Sequence, residues 1–122
     1  ILKGKPIQLY NRGDMIRDFT FVDDIVDGML GLERERVKES QPLYDVFNIG
    51  CSNPRTLKEY VSAIEAALNK KAIIEEMPFQ AGDIYKTVAD VSKLSALTGY
   101  QPKTQIEDGV KQFVEWYKAF YN

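Results

Sequence analysis

Histidine is absent from the 122 residues, and that absence removes imidazole acid–base chemistry, serine-type triads and imidazole metal sites. The single cysteine, Cys51, permits no internal disulfide, and one thiol without histidine builds no structural zinc site. A lone cysteine also makes a reducing cytoplasm the expected compartment. Charge of one sign is equally scarce: 16 Lys and Arg against 18 Asp and Glu leave a formal net charge of -2, too weak a field to coat nucleic acid or an anionic membrane. One local basic cluster could still serve one anionic ligand. No uninterrupted apolar run approaches the roughly 18 residues of a membrane span, and no charged-then-apolar leader opens the chain. Neither G-x-G-x-x-G nor G-x-x-x-x-G-K occurs, so no glycine-rich phosphate turn is expected. None of the seven tyrosines has a lysine four residues on, the pairing in which an ammonium lowers a phenol pKa. From its residues alone the chain has no catalytic centre; it can hold a ligand but offers nothing to transform it.

What is present suffices for one modest domain: 44% hydrophobic and 28% charged residues can bury a core. Ile7-Gln8-Leu9-Tyr10 alternates as a short strand, Asn11 to Asp14 is a turn, and Arg17 to Val22 alternates again as a second strand. From Val22 the period becomes helical, with Ile25, Val26, Met29, Leu30 and Leu32 in a broad apolar stripe. Glu33 to Ser40 is a mixed-charge, solvated end. Tyr44 to Ile49 reads as a buried-type strand stopped by Gly50. Thr56 with Glu59 forms a capping-box pattern ahead of a helix bearing Leu57, Tyr60, Val61, Ile64, Ala67 and Leu68 on one face. A strand over 72–77, a loop over 78–86 and a short helix capped by Asp90 and closed by Gly99 follow. Thr104 with Glu107 is expected to cap a last helix, whose Ile106, Val110, Phe113, Val114, Tyr117, Phe120 and Tyr121 are expected to be core. The fold class is α/β, an α+β-like small lobe of short strands with about four helices.

Several motifs stand in a telling order: Tyr10-Asn11-x-Gly13-x-Met15-x-Arg17-Asp18-Phe19-Thr20, Phe47-Asn48-Ile49-Gly50, Gln80-Ala81-Gly82-Asp83, Ala89-Asp90, Gly99-Tyr100-x-Pro102 and Gly109-Val110-x-x-Phe113-Val114-x-Trp116-Tyr117. Together they resemble the C-terminal part of the extended short-chain dehydrogenase/reductases, in the nucleotide-sugar epimerase and dehydratase group. The Tyr-Asn-x-Gly-x-Met and Gln-x-Gly-Asp versions are most similar to those of UDP-glucuronate 4-epimerases. The resemblance implies that residues 1–122 are the nucleotide-sugar-binding C-terminal domain of a longer enzyme. The start at Ile1-Leu2-Lys3, without an initiator Met, agrees with that expectation. By resemblance, NAD and the catalytic residues belong to a preceding Rossmann domain, and the full-length enzyme is a homodimer. The complete enzyme oxidises C4 of a UDP-hexuronate, and after the sugar turns, hydride returns to the opposite face. The lobe alone is then inactive, with UDP-sugar and its own Rossmann domain as partners and neither nucleic acid nor membrane. Alternatives are a UDP-glucose or UDP-N-acetylglucosamine 4-epimerase, a sugar-nucleotide dehydratase, or a non-catalytic nucleotide-sugar-binding module.

The same resemblance assigns substrate-binding roles. Arg17 is matched to an arginine on the UDP pyrophosphate, where a guanidinium fork donates parallel hydrogen bonds to phosphate oxygens; otherwise it is a structural ion-pair residue, with Asp18 as its partner. Asp83 is matched to a carboxylate that accepts from ribose hydroxyls, or else stabilises the turn after Gly82. Gln80 stands where many relatives carry a second phosphate-binding arginine, and Ala81 replaces a usual proline. Gln8 and Tyr10 fall where relatives line the uracil, or are an ordinary exposed strand pair. Thr87 aligns with a position governing room around the hexose, or is simply a strand residue. Asp23, Asp24 and Asp27 sit at a helix start with no loop to wrap a cation, so charge complementing the helix dipole is preferred to a metal site. Cys51 has no neighbouring base and reads as an inert thiol. Part of the Val22–Leu32 stripe is expected to stay exposed, or to be covered by another copy.

Overall fold

Alternation decides the first strand, β1 (Ile7–Tyr10), which buries Leu9 and turns Gln8 outward. In the computed structural model, which describes residues 1–36 and 44–121, the chain forms two compact units. The first comprises Ile1–Arg17, Arg55–Thr87 and Gln105–Asn122; the second comprises Asp18–Pro54 and Val88–Thr104.

In the first unit, β1 leads through a 3-10 turn, Asn11–Gly13, into the two-residue strand β2 (Ile16–Arg17). Gly13 has φ 77°, and a Cβ there would stand 2.8 Å from Leu9 and Lys58 side-chain carbons, so glycine is required twice over. Strand β3 (Arg55–Thr56) pairs antiparallel with β2 and runs directly into α2 (Leu57–Leu68). The expected capping box is present: the Glu59 N–H donates to Thr56 Oγ1 at 3.2 Å, and the Thr56 N–H donates to Glu59 Oε2 at 2.7 Å. Donation from Thr56, backbone first and then hydroxyl, holds the Glu59 carboxyl below its ordinary pKa. Replacing Thr56 by alanine is expected to cost about 1 kcal/mol, read as a lower urea midpoint with unchanged slope. Strand β4 (Ile74–Met77) pairs parallel with β1, Ile7 opposite Ile74 through Tyr10 opposite Met77.

The last helix of this unit starts at Ile106, two residues beyond the expected cap at Thr104, and packs on α2. Its aromatic stripe departs from expectation. Gly109, Val110 and Val114 are buried, with Leu9 and Met15 in the same unit, whereas Phe113, Trp116, Phe120 and Tyr121 are about half exposed or more. The stripe is wider than α2 can cover, so the aromatic rings pack mainly on one another, Trp116 against Phe120 at 5.5 Å and Tyr117 against Tyr121 at 4.7 Å between centroids.

The second unit pairs α1 (Val22–Arg36) with α3 (Ser92–Thr98); numbering the last helix in chain order, Ile106–Tyr121 is α4. Helix α1 meets its neighbours through glycine: a Cβ on Gly28 would lie 2.9 Å from Ile49, and one on Gly31 3.2 Å from Thr98. Asp24, almost fully buried, accepts the Lys103 and Thr104 N–H groups at 3.0 and 3.1 Å. The Tyr100 hydroxyl donates to the Gly50 carbonyl at 3.1 Å, and burial, reinforced by the Asp24 charge, pushes that phenol up to about 12. Asp18 gathers the Ser52 and Ala89 N–H groups on Oδ2, each at 3.0 Å, and the Asn53 N–H on Oδ1 at 3.3 Å. Asp90 accepts from the Ser92 N–H at 2.9 Å, although the residue flanking α3 is Val91, and Gly99 closes the helix in the left-handed region as expected.

Two further expectations meet the structure here. Tyr44 to Ile49 is not a strand: among the described residues no neighbouring strand gives it a ladder partner. It is tied instead to α3, where Lys93 bonds the Asp45 carboxylate and the Val46 carbonyl and sits 4.6 Å over the Phe47 ring. Of the second expected strand, Arg17 to Val22, only Arg17 lies in β2; Asp18 onward is organised by side-chain bonds rather than a ladder, and Val22 already opens α1. The apolar stripe of α1 is indeed left open, with Val22 60% and Met29 58% exposed. Residues 37–40 of the expected mixed-charge end lie outside the described residues. Among the described residues no helix is long and apolar enough to cross a membrane.

Candidate functional site

Arg17 closes β2, and the ladder fixes its Cα opposite Arg55 of β3. On the other side of β2 the chain returns as residues 85–87: the Ile16 N–H donates to the Tyr85 carbonyl at 2.9 Å, and the Thr87 N–H to the Ile16 carbonyl at 3.1 Å. Ile16 is thereby bridged in parallel to Lys86, an isolated bridge beside β2. Directly opposed residues share a face of a pleated pair, so Arg17 and Arg55 lie on one face, with Thr87 bonded to the neighbouring Ile16.

The guanidinium of Arg17 is held at three points. Its Nη1 donates to the Ile16 carbonyl at 2.9 Å and the Tyr85 carbonyl at 3.2 Å, and its Nη2 to Asp83 Oδ1 at 2.9 Å. Asp83 reaches it from a turn over Gln80–Asp83, closed by the Asp83 N–H on the Gln80 carbonyl at 3.1 Å, with Gly82 at φ 83°. A hydrogen bond from the first to the fourth residue with positive φ at the third defines a type II turn, the reason glycine stands at 82. Asp83 Oδ1 also accepts the Ile84 N–H at 2.8 Å, which fixes the carboxylate over its own turn. Both partners remain open to solvent, with side chains 23% and 36% exposed. The arrangement is a guanidinium oriented by two backbone carbonyls and paired through Nη2 with one carboxylate.

The structure therefore brings Arg17, Asp83, the Gln80 turn and Thr87 together. The ion-pair partner of Arg17 is Asp83 rather than Asp18, which is engaged by backbone N–H groups. Gln8 and Tyr10 lie on β1 and bond each other, the Tyr10 hydroxyl donating to Gln8 Oε1 at 3.3 Å; among the described residues no hydrogen bond links them to Arg17 or Asp83. Arg55 went unnoticed in the sequence, where Pro54-Arg55-Thr56 reads only as the approach to a helix. Its place beside Arg17 appears only once the β2–β3 register is known. Among the described residues no group of His, Cys, Asp or Glu is assembled to hold a metal ion.

Short strands and four helices among the described residues, with an Arg17–Asp83 pair held over a tight turn, fit a known class. Residues 1–113 match the family described as GDP-mannose 4,6 dehydratase, and the chain belongs to that family. An uncharacterised protein of Methanocaldococcus jannaschii is 45% identical over 117 residues, covering 96% of this chain and 34% of that protein. A probable UDP-glucuronate 4-epimerase of Rhizobium meliloti is 38% identical over 135 residues, covering 99% of this chain and 40% of the relative. Among solved structures, UDP-glucuronic acid 4-epimerase from Bacillus cereus, in complex with UDP-glucuronic acid and NAD, superposes with a TM-score of 0.85 at 27% identity, over 98% of this chain and 37% of that one. The chain thus spans well under half the length of these relatives.

Proposed function

We propose that this chain is the nucleotide-sugar-binding lobe of a UDP-glucuronate 4-epimerase, with Arg17 on the diphosphate and Asp83 on the ribose. The observation that carries it is the Arg17–Asp83 pair itself, a 2.9 Å contact between the two side chains assigned to adjoining parts of one ligand. An arriving phosphate replaces the carboxylate on Nη2 of a guanidinium whose Nη1 is anchored by two backbone carbonyls. The released carboxylate then accepts from the vicinal hydroxyls of the ribose. Gln80 and Thr87 flank the same ligand, and Gln8 and Tyr10 stand toward its base.

The lobe's contribution to epimerisation is positioning. Affinity gathered at the diphosphate holds the nucleotide while the sugar presents first one face and then the other. NAD does not fit the residues of this chain: no G-x-G-x-x-G occurs in its sequence, and the β3–α2 junction, where a strand runs straight into a helix, is Arg55-Thr56-Leu57. Dinucleotide binding is therefore assigned to other parts of a longer protein, and catalytic groups with it.

Calorimetric titration of the chain with UDP, with uridine as a control, tests this reading. UDP is expected to bind weakly and uridine at least about tenfold more weakly still, since the nucleoside lacks the charge that Arg17 engages. Equal affinity for the two overturns the assignment. Titration with UDP-glucuronate, UDP-glucose and UDP-N-acetylglucosamine ranks the sugars.

A further inference from the structure

The register that sets Arg17 against Arg55 places two guanidinium side chains on one face at directly opposed positions of a two-residue ladder. Opposed like charges on adjacent strands oppose pairing, and here each is drawn off by its own carboxylate, Arg17 by Asp83 and Arg55 by Glu59 at 3.2 Å. The Glu59 tie is not needed by the helix it caps. The cap uses Oε2, which accepts the Thr56 N–H, whereas Arg55 engages Oε1. Arg55 is also incompletely served: its Nε is buried with no hydrogen-bond acceptor, although buried donors in folded proteins almost always have one. A guanidinium carries paired N–H donors that match two oxygens of one phosphate.

We propose that Arg55 is the second cation of the site, engaging the second phosphate group of a nucleoside diphosphate while Arg17 engages the first. This rests on the nucleotide-sugar assignment above and deepens it, because it makes the lobe selective for a diphosphate over a monophosphate. The ligand bridges the two strands and replaces both carboxylates. Its negative charges relieve the repulsion that the ladder holds in place. Gln80 brings no charge to this site, so the second positive charge comes from the opposite strand instead.

The test is calorimetric titration of the 122-residue chain with UDP and with UMP, for the wild type and for Arg55→Gln, Arg17→Gln and Glu59→Gln. Arg55→Gln is expected to weaken UDP about tenfold or more, the scale of a lost charge-assisted hydrogen bond, while UMP changes less than about twofold. Glu59→Gln keeps a residue competent for the capping box and frees Arg55, so UDP is expected to bind a few-fold more tightly. A merely structural Arg55 would leave the UDP-to-UMP ratio unmoved in both variants, and that result overturns the proposal. If Arg17→Gln weakens UDP while Arg55→Gln and Glu59→Gln do not change the ratio, only this proposal fails. If Arg17→Gln has no effect either, the nucleotide assignment fails with it. Should Arg55→Gln not fold, judged by circular dichroism, Glu59→Gln decides alone, and an unchanged UDP affinity is the overturning result.

Discussion

Arg17→Ala is expected to weaken UDP binding by roughly 2–4 kcal/mol, about 30-fold to 1000-fold in dissociation constant. Two effects act in the same direction. The substitution removes a guanidinium already oriented by the Ile16 and Tyr85 carbonyls, so little ordering entropy offsets the bonds it makes to a phosphate. It also leaves the Asp83 carboxylate without its cation, facing an anionic ligand. Arg17→Lys retains the charge but not the fork, and is expected to fall between the two. Asp83→Asn separates the contributions further: it removes the competing charge while keeping an acceptor for a ribose hydroxyl, so its effect is smaller than that of Arg17→Ala. Calorimetry with UDP measures all three, and a dissociation constant for Arg17→Ala equal to that of the wild type removes Arg17 from the site.

The largest expected effect on stability is at Asp18, immediately beside Arg17 in sequence. Its carboxylate accepts three backbone N–H groups, from Ser52, Asn53 and Ala89, so one side chain joins three stretches of the second unit. Alanine leaves those donors to water or to nothing. At about 1 kcal/mol for each bond, and more where water cannot reach, Asp18→Ala is expected to cost about 3 kcal/mol or more. The close fit around the carboxylate argues for the upper end: a Cβ on Gly50 would stand 2.9 Å from Asp18 Oδ2 and 2.5 Å from the Ala89 Cβ. Asparagine is no substitute, because its amide turns an NH2 toward donors on one side or the other. Urea unfolding followed by circular dichroism reads the difference, and a loss below about 1 kcal/mol would show that these bonds are replaced by solvent.

Local chemistry was legible in the residues wherever it closes on itself. The Thr56–Glu59 capping box, the glycine that ends α3 and the Gln80–Asp83 turn each need only three or four consecutive residues. Helical stripes located α1, α2 and α4 for the same reason. Burial was another matter, because it depends on what lies opposite. The α4 aromatics form as regular a stripe as the α2 aliphatics, yet only the Val110 and Val114 side of that helix is buried. Tyr44 to Ile49 has the composition of an interior strand, but a strand exists only with a neighbour to bond, and composition is silent about neighbours. Of the candidate site, Arg17, Gln80, Asp83 and Thr87 came from motif order, which fixed their kinship before it fixed their geometry. Arg55 needed the ladder, since nothing in Pro54-Arg55-Thr56 announces which residue faces it across a strand pair.

Trp116 is the only tryptophan in the chain, and it sits on α4, half exposed, with its indole against Phe113, Phe120 and Tyr121. Light absorbed at the red edge of the ultraviolet protein band therefore excites the first unit and leaves the second dark. Emission from that lone fluorophore and ellipticity from the four helices of the described residues are thus separate witnesses to one melt. Coincident midpoints mean that the two units come apart as a single cooperative body, and a gap between them measures how independently each can stand.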